Sequence, residues 1–343
     1  MDRLNNGGKG FQGSVRDYTI RSESGVCILG QSYQLISSSK SKQYSSVAFL
    51  YSSFDRPEKV YFTTHIDELP WAKPFTHENQ LLVTRRLPRV KLYRWINPKD
   101  NRMIEGILHY PPGKFGHKNL PLFILIHGGP SDATAAEGWL VLEPDYRGST
   151  GDGDQFLNDI SGQLLSRPRS DIRAGVDSLV NDGIADSTRL DIGGYSFGGA
   201  LTDWLITQTT CFNGALSRAG AVQQIFMWGT TDLPAFGIPL MCGLPWDVPE
   251  IYEKESIMNN LNTAKTPTLI GTGTNDIRVS ADQSYMLERG LTYLGVSVKL
   301  LVFLDEGHTH SNNPWHGKMK AREELKSLAK YAHLPPLKTE DLV

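Results

Sequence analysis

The sequence predicts an α/β fold, a mostly parallel sheet with helices on both faces, preceded by a shorter β-rich segment. Three observations carry this reading. From residue 121 onward, short apolar runs of strand length alternate with stretches that repeat apolar residues every three or four positions. Over residues 18–87, apolar–polar alternation prevails and helical periodicity is scarce. Between the two patterns of the second half, the run from Leu190 to Ile192 breaks at glycines and restarts as a helix-like stretch at Ala200, with Ser196 at the turn.

Residues 1–15 are Gly/Asn-rich and expected to be poorly ordered. Segments 46–53 and 59–64 read as strands joined by the turn Asp55-Arg56-Pro57-Glu58. A propeller blade is a four-stranded sheet of about 40–45 residues, so this region has room for about two blades, too few to close a ring. Residues 89–95 and 103–110 form a hairpin around Asn97-Pro98-Lys99-Asp100-Asn101. The expected division is therefore a β-rich segment, 1–88, and a second domain, 89–343. Strands are expected at 121–126, 139–143, 190–192, 215–217, 268–271 and 298–304, and helices at 170–181, 200–207, 281–294 and 319–331.

Composition narrows the functional classes. A chain of 343 residues holds one large domain and a smaller piece. Its hydrophobic (39%) and charged (21%) fractions are those of a globular protein. A net charge of −2 implies neither nucleic acid nor a membrane surface as partner. The longest apolar runs are of strand length, far short of a membrane span. The first residues lack the apolar core of a signal peptide. Cys27, Cys211 and Cys242 are odd in number and widely spaced, so neither a disulfide framework nor a zinc site is expected, and the default compartment is the cytoplasm. The sequence leaves a homo-oligomer open.

Ser196 stands in the frame Gly194-Tyr195-Ser196-Phe197-Gly198. Strand, sharp turn and helix in succession would present its hydroxyl at the apex, with Gly194 and Gly198 small enough to let strand and helix close together. The frame alone is weak evidence. An acid and a histidine later in the chain, in that order, give it weight. A serine becomes nucleophilic when a base takes its proton and a carboxylate orients that base. Asp276 directly follows the expected strand 268–271, and His308 directly follows 298–304. Both fall at carboxyl ends of strands, where ligands collect in open α/β sheets. His310 competes for the role of base, but His308 comes immediately after its strand and Gly307. A zinc site from His308, His310 and His316 lacks a completing carboxylate or cysteine pattern. No cofactor is called for. An oxyanion hole would draw on the N–H of Phe197 and, from the loop His127-Gly128-Gly129-Pro130, the N–H of Gly128. Phe226, Trp228 and Trp246 are candidates for an apolar pocket, or equally for core aromatics.

These stretches, with Tyr146-Arg147-Gly148-Ser149-Thr150-Gly151, Asp182-Gly183-Ile184-Ala185-Asp186, Trp228-Gly229-Thr230-Thr231-Asp232 and Pro314-Trp315-His316-Gly317-Lys318, resemble the prolyl oligopeptidase family of serine peptidases, in particular its acylaminoacyl-peptidase-like branch. The resemblance covers about residues 90–333 well and the first 90 loosely. It implies an α/β-hydrolase fold preceded by a truncated propeller, and an acyl-enzyme route in which Ser196 attacks, His308 shuttles the proton and Asp276 orients His308. In the family an arginine two residues after the acid holds a backbone carbonyl of the substrate, and Arg278 stands there. The expected substrate is a peptide or acyl-peptide; a carboxylesterase on the same triad, or a catalytically impaired remnant, is the alternative. The missing blades imply an open active-site mouth. The 12 residues between Ile126 and Trp139 are fewer than the family uses. Residues 131–137 are therefore expected to lack a crossover helix and to leave apolar sheet uncovered, at a cost of ~25 cal/mol per Å². Asp145 stands where asparagine is common.

Overall fold

The computed structural model describes residues 14–15, 32–40, 45–53, 56–64, 68, 71–76, 88–128, 139–150, 152–310 and 312–331. The expectations for residues 1–13 and for the 131–137 crossover lie outside them. The chain divides into two compact units, 1–88 and 89–343.

In the first unit, β1 (Ser14–Val15), β2 (Ser32–Lys40), β3 (Ser45–Ser53), β4 (Arg56–Thr63) and β5 (Lys73–Pro74) form one antiparallel sheet in sequential order. The alternation read in the sequence sets Phe49 across from Tyr61. Both are buried, and their rings stack 5.7 Å apart.

The second unit is built on an eight-stranded sheet of β6 (Arg89–Asn97), β7 (Arg102–Tyr110), β8 (Leu120–Ile126), β9 (Leu140–Asp145), β10 (Ala185–Tyr195), β11 (Gly214–Arg218), β12 (Thr268–Gly273) and β13 (Val298–Phe303). Its spatial order is β13-β12-β11-β10-β8-β9-β7-β6. The pairs from β9 to β13 are parallel, and only β7 runs antiparallel to both its neighbours. Every residue of β8, β11 and β12 is buried. Strands covered on both faces have no solvent side to alternate with, which is why β8 reads as continuous apolar text and why β11 and β12 show no apolar–polar alternation.

Eight helices are described in this unit: α1 (Asp154–Asn158), α2 (Ser166–Asn181), α3 (Phe197–Gln208), α4 (Gln224–Thr230), α5 (Pro234–Leu240), α6 (Pro249–Lys254), α7 (Ala281–Tyr293) and α8 (Pro314–Tyr331). A 3₁₀ segment, Ile257–Thr263, follows α6. Both α2 and α8 start earlier than the periodicity predicts. Pro168 and Pro314 lie in their first turns, where an N–H has no intrahelical partner and proline is tolerated. Helices α1, α4, α5 and α6 are not among those the sequence predicts. Each makes two turns at most, too short for a 3.6-residue period to show, and α5 carries Pro239 within it. Strand β10 extends back to Ala185 through a polar stretch where the ladder with β8 is irregular.

Helix α2 buries Ile172, Val176 and Leu179 against the sheet. Trp95 of β6 fits the space left by Gly175 and donates its indole N–H to the Asp171 carbonyl at 2.8 Å. The fully buried Asp171 carboxylate takes a two-pronged contact from Arg147, at 2.8 and 2.7 Å, and a third bond from Asn97 Nδ2 at 2.7 Å. A carboxylate removed from water is tolerable when its lone pairs are filled in this way. No helix among the described residues is long and apolar enough to cross a membrane.

Candidate active site

The carboxyl ends of β8, β10, β12 and β13 gather the candidate site residues. β10 runs into α3 through Ser196, whose backbone sits at φ 57°, ψ −117°. A side chain held in this sparsely populated region costs on the order of 1–3 kcal/mol, sustained by the packing around it. That packing requires glycine on either side: a Cβ at Gly194 would fall on the backbone of Gly198, and one at Gly198 on the carbonyl of Ile126. The Ser196 N–H donates to the Arg218 carbonyl at 2.8 Å, fastening the turn to β11. Helix α3 is buried from Gly198 to Thr207 and supports the turn from behind.

His308 Nε2 lies 2.9 Å from Ser196 Oγ, and His308 Nδ1 lies 2.8 Å from Asp276 Oδ2. The other oxygen, Asp276 Oδ1, accepts from the N–H groups of Arg278 and Val279, at 2.9 Å each. The aspartate side chain is wholly buried, whereas the His308 ring is 22% exposed. With one oxygen filled by two backbone donors, the carboxylate has the other free to accept from Nδ1–H. That fixes Nε2 as the acceptor facing the serine hydroxyl.

The loops bearing Asp276 and His308 are tied together. Asn275 N–H donates to the Glu306 carbonyl at 2.9 Å. The buried Glu306 carboxylate accepts from the N–H groups of Asn312 and Asn313, at 3.0 and 2.8 Å, and from His316 Nδ1 at 2.8 Å. These contacts strap the histidine loop to the start of α8 and hold the Glu306 carboxyl below its ordinary value, against burial, which raises it.

The three histidines of the zinc alternative are committed to different partners. His308 faces Asp276 and Ser196, and His316 faces Glu306. His310 lies buried between Tyr195 and Phe303, with ring centroids 5.8 and 5.2 Å away. Burial, reinforced by the charge of Lys320, lowers its pKa to about 4, so this imidazole is neutral at pH 7.

A cavity of about 670 Å³ opens beside Ser196. Gly128 and Phe197 line it next to the serine, and the N–H of Phe197, first residue of α3, has no carbonyl of its own helix to bond. His127 is fixed behind Gly128: its carbonyl accepts from Tyr146 OH at 2.5 Å, and its ring stacks on Tyr146 at 4.5 Å. About half of the lining comes from α4 to α6, segments without a periodic signature in the sequence, and residues 157–165 supply a further part. Of the three candidate aromatics, Trp228 lines the cavity, whereas Phe226 and Trp246 do not. Trp246 is 65% exposed and packs edge-on against Trp228 at 5.3 Å. On α4, Phe226 is two residues from Trp228, about 200° around the helix, and so faces away from it.

Arg278 also lines the cavity. Its Nε and Nη2 bind Asp232 Oδ1 and Oδ2 at 2.5 and 3.1 Å, a fork-on-carboxylate pair that raises the guanidinium pKa and lowers that of Asp232. Arg278 thus already holds an ion pair, and it is at the mouth.

A buried carboxylate, an imidazole and a strained serine at strand ends of a mostly parallel sheet, beside a helix N-terminus, define an α/β-hydrolase site. Comparison with known proteins agrees. Residues 131–333 match the prolyl oligopeptidase family, and the chain belongs to it. It is 27% identical over 271 residues to the uncharacterized peptidase YuxL of Bacillus subtilis (75% of this chain, 41% of the relative). It is 31% identical over 208 residues to the acylamino-acid-releasing enzyme of Arabidopsis thaliana (55% of this chain, 27% of the relative). The chain therefore spans well under half the length of these curated relatives. Among solved structures, the acylaminoacyl peptidase of Pyrococcus horikoshii superposes with a TM-score of 0.75 at 21% identity, covering 90% of this chain and 52% of its own. A puromycin hydrolase gives 0.76 at 19%, covering 88% and 47%. At such identities the likeness is one of fold.

Proposed function

We propose that this chain is a serine peptidase that hydrolyses peptide or acyl-peptide bonds through an acyl-enzyme. The observation that carries the reading is the continuous contact from Asp276 through His308 to Ser196 Oγ. In this mechanism His308 Nε2 takes the Ser196 proton as Oγ attacks the carbonyl carbon. Asp276 stabilises the imidazolium that forms, and the N–H groups of Phe197 and Gly128 receive the oxyanion. The imidazolium then gives its proton to the leaving amine. Water, deprotonated by the same imidazole, releases the acyl group and restores the serine. No cofactor enters these steps.

The apolar lining beside Ser196 suits a large side chain on the acyl side of the scissile bond. Arg278, at the mouth, serves to hold a substrate backbone carbonyl with the part of its fork that Asp232 does not occupy. That anchor favours a peptide over a simple ester, and it separates this reading from a carboxylesterase on the same three residues. The antiparallel, sequentially ordered β1–β5 sheet supports reading residues 1–88 as the remains of a propeller and 89–343 as the catalytic domain. The odd, scattered cysteines favour the cytoplasm.

A fluorophosphonate probe tests the reading, together with a peptide-library digest read by mass spectrometry. Labelling and cleavage are both expected in the native protein and absent in Ser196→Ala. A folded protein that neither labels nor cleaves is the impaired remnant, and one that labels and cleaves only esters is the carboxylesterase.

A further inference from the structure

The wall of the cavity beside Ser196 is mostly apolar, and most of its polar side chains are already bonded within the protein. Asn158 Nδ2 donates to the Asp154 carbonyl at 2.8 Å, Thr231 Oγ1 accepts from Leu233 N–H at 3.3 Å, Arg278 is paired with Asp232, and Ser196 with His308. Gln224 differs. It is 6% exposed, and its side-chain amide makes no hydrogen bond to any described residue.

Helix geometry turns Gln224 toward the cavity. Gln224, Met227, Trp228 and Thr231 all line it, at the i, i+3, i+4, i+7 spacing of a single helix face. The start of α4 is held independently of that amide. Gln224 N–H donates to Ser256 Oγ at 3.0 Å. Gln283 Oε1 accepts from Val222 and Gln223 N–H at 2.9 Å each, and Gln283 Nε2 donates to the Gln223 carbonyl at 3.1 Å. A fixed backbone therefore presents a donor and an acceptor, both unused by the described residues, in an otherwise greasy recess. The side chain is mostly buried but lines the cavity, so its amide opens on the space where a ligand group carrying the complementary acceptor or donor can meet it.

We propose that Gln224 is a specificity-determining residue whose amide receives the hydrogen-bonding tip of a large substrate side chain. The inference rests on the peptidase reading and sharpens it. The favoured residue on the acyl side of the scissile bond has an apolar or aromatic body ending in a hydroxyl or amide, with tyrosine as the type case. Phenylalanine fills the same space and leaves the amide bare. One net neutral hydrogen bond corresponds to a preference of about two- to tenfold in kcat/KM.

The test compares N-acetyl-Ala-Ala-Tyr and N-acetyl-Ala-Ala-Phe aminomethylcoumarin amides on the full chain, as native protein, Gln224→Leu and Gln224→Met. Circular dichroism and thermal melting establish that each variant folds. The expected result is a Tyr/Phe ratio of kcat/KM of about two to ten in the native protein, falling to about one or below in whichever variant folds. A native ratio at or below one overturns the inference while leaving the peptidase reading standing. So does a higher ratio that a folded variant keeps. If the native protein hydrolyses neither amide although a fluorophosphonate labels Ser196, the peptidase reading falls, and this inference with it.

Discussion

Replacing Asp276 with asparagine removes one charge and almost no volume, yet the geometry assigns it a large kinetic effect. Asp276 Oδ1 accepts from two backbone N–H groups, those of Arg278 and Val279, at 2.9 Å each. In Asp276→Asn the carbonyl oxygen must stay on those two donors, because turning the amide would aim its NH₂ at them. The NH₂ is then directed at His308 Nδ1, now 2.8 Å from Oδ2. That nitrogen is forced to accept, so the proton moves to Nε2, which faces Ser196 Oγ at 2.9 Å as a donor and cannot take the hydroxyl proton. Loss of the correct tautomer, with loss of the negative charge beside the imidazolium, costs about 10⁴ in kcat in triads of this kind, or about 5 kcal/mol of transition-state stabilisation. The assay is kcat on a peptide substrate at pH 7.5, alongside the second-order rate of fluorophosphonate labelling. Both should fall together. A variant within tenfold of the native kcat would refute the tautomer argument.

Two further predictions concern charge. Arg278→Ala removes a charged donor from the cavity mouth, and kcat/KM for peptides should fall by about 10- to 100-fold, the range of one charge-assisted hydrogen bond, while small esters are spared; equal losses on both substrates would contradict its role as a carbonyl anchor. Asp203, on α3 beneath the serine turn, is wholly buried and pushed up to about 8 by desolvation, against a bond donated by Ser217 Oγ at 2.9 Å. Its folded-state pKa lies above the unfolded value of 3.8, so the folded protein binds more protons between the two, and stability declines as pH rises from about 4 through about 8. Asp203→Asn lacks this titration. The difference in Tm between variant and native protein should shift in the variant's favour from pH 5 to pH 9, and a difference constant over that range would count against a protonated Asp203.

The parts of the site legible in the sequence are those whose chemistry imposes a local pattern. A serine at a strained strand-to-helix turn needs glycines at fixed offsets, so Gly194, Ser196 and Gly198 stand out as text. Asp276 is found because it follows β12, which is buried along its whole length, and His308 because it follows the apolar run of the edge strand β13. In the sequence, only distance from the strand end favours His308 over His310; the structure supplies the physical distinction, placing one ring on Ser196 and burying the other between Tyr195 and Phe303. What the sequence conceals is the wall of the cavity. Helices α4, α5 and α6 have six or seven residues apiece, and on α5 no residue is buried. Such elements leave no periodic signature, and Gln224, at the start of the first of them, reads as an ordinary polar residue. The ion pair between Arg278 and Asp232 is equally hidden, since nothing local links positions 46 residues apart.

About half of the cavity lining comes from one continuous stretch, residues 224–252, with a shorter share from 157–165, whereas the three residues in contact at its base hang from the separate ends of β10, β12 and β13. Reactivity and selectivity are thus written in different passages of the chain. Grafting that single cassette from a homologue would retune which side chains are accepted and leave the proton relay as it stands, so a library confined to it would explore substrate range without eroding turnover chemistry.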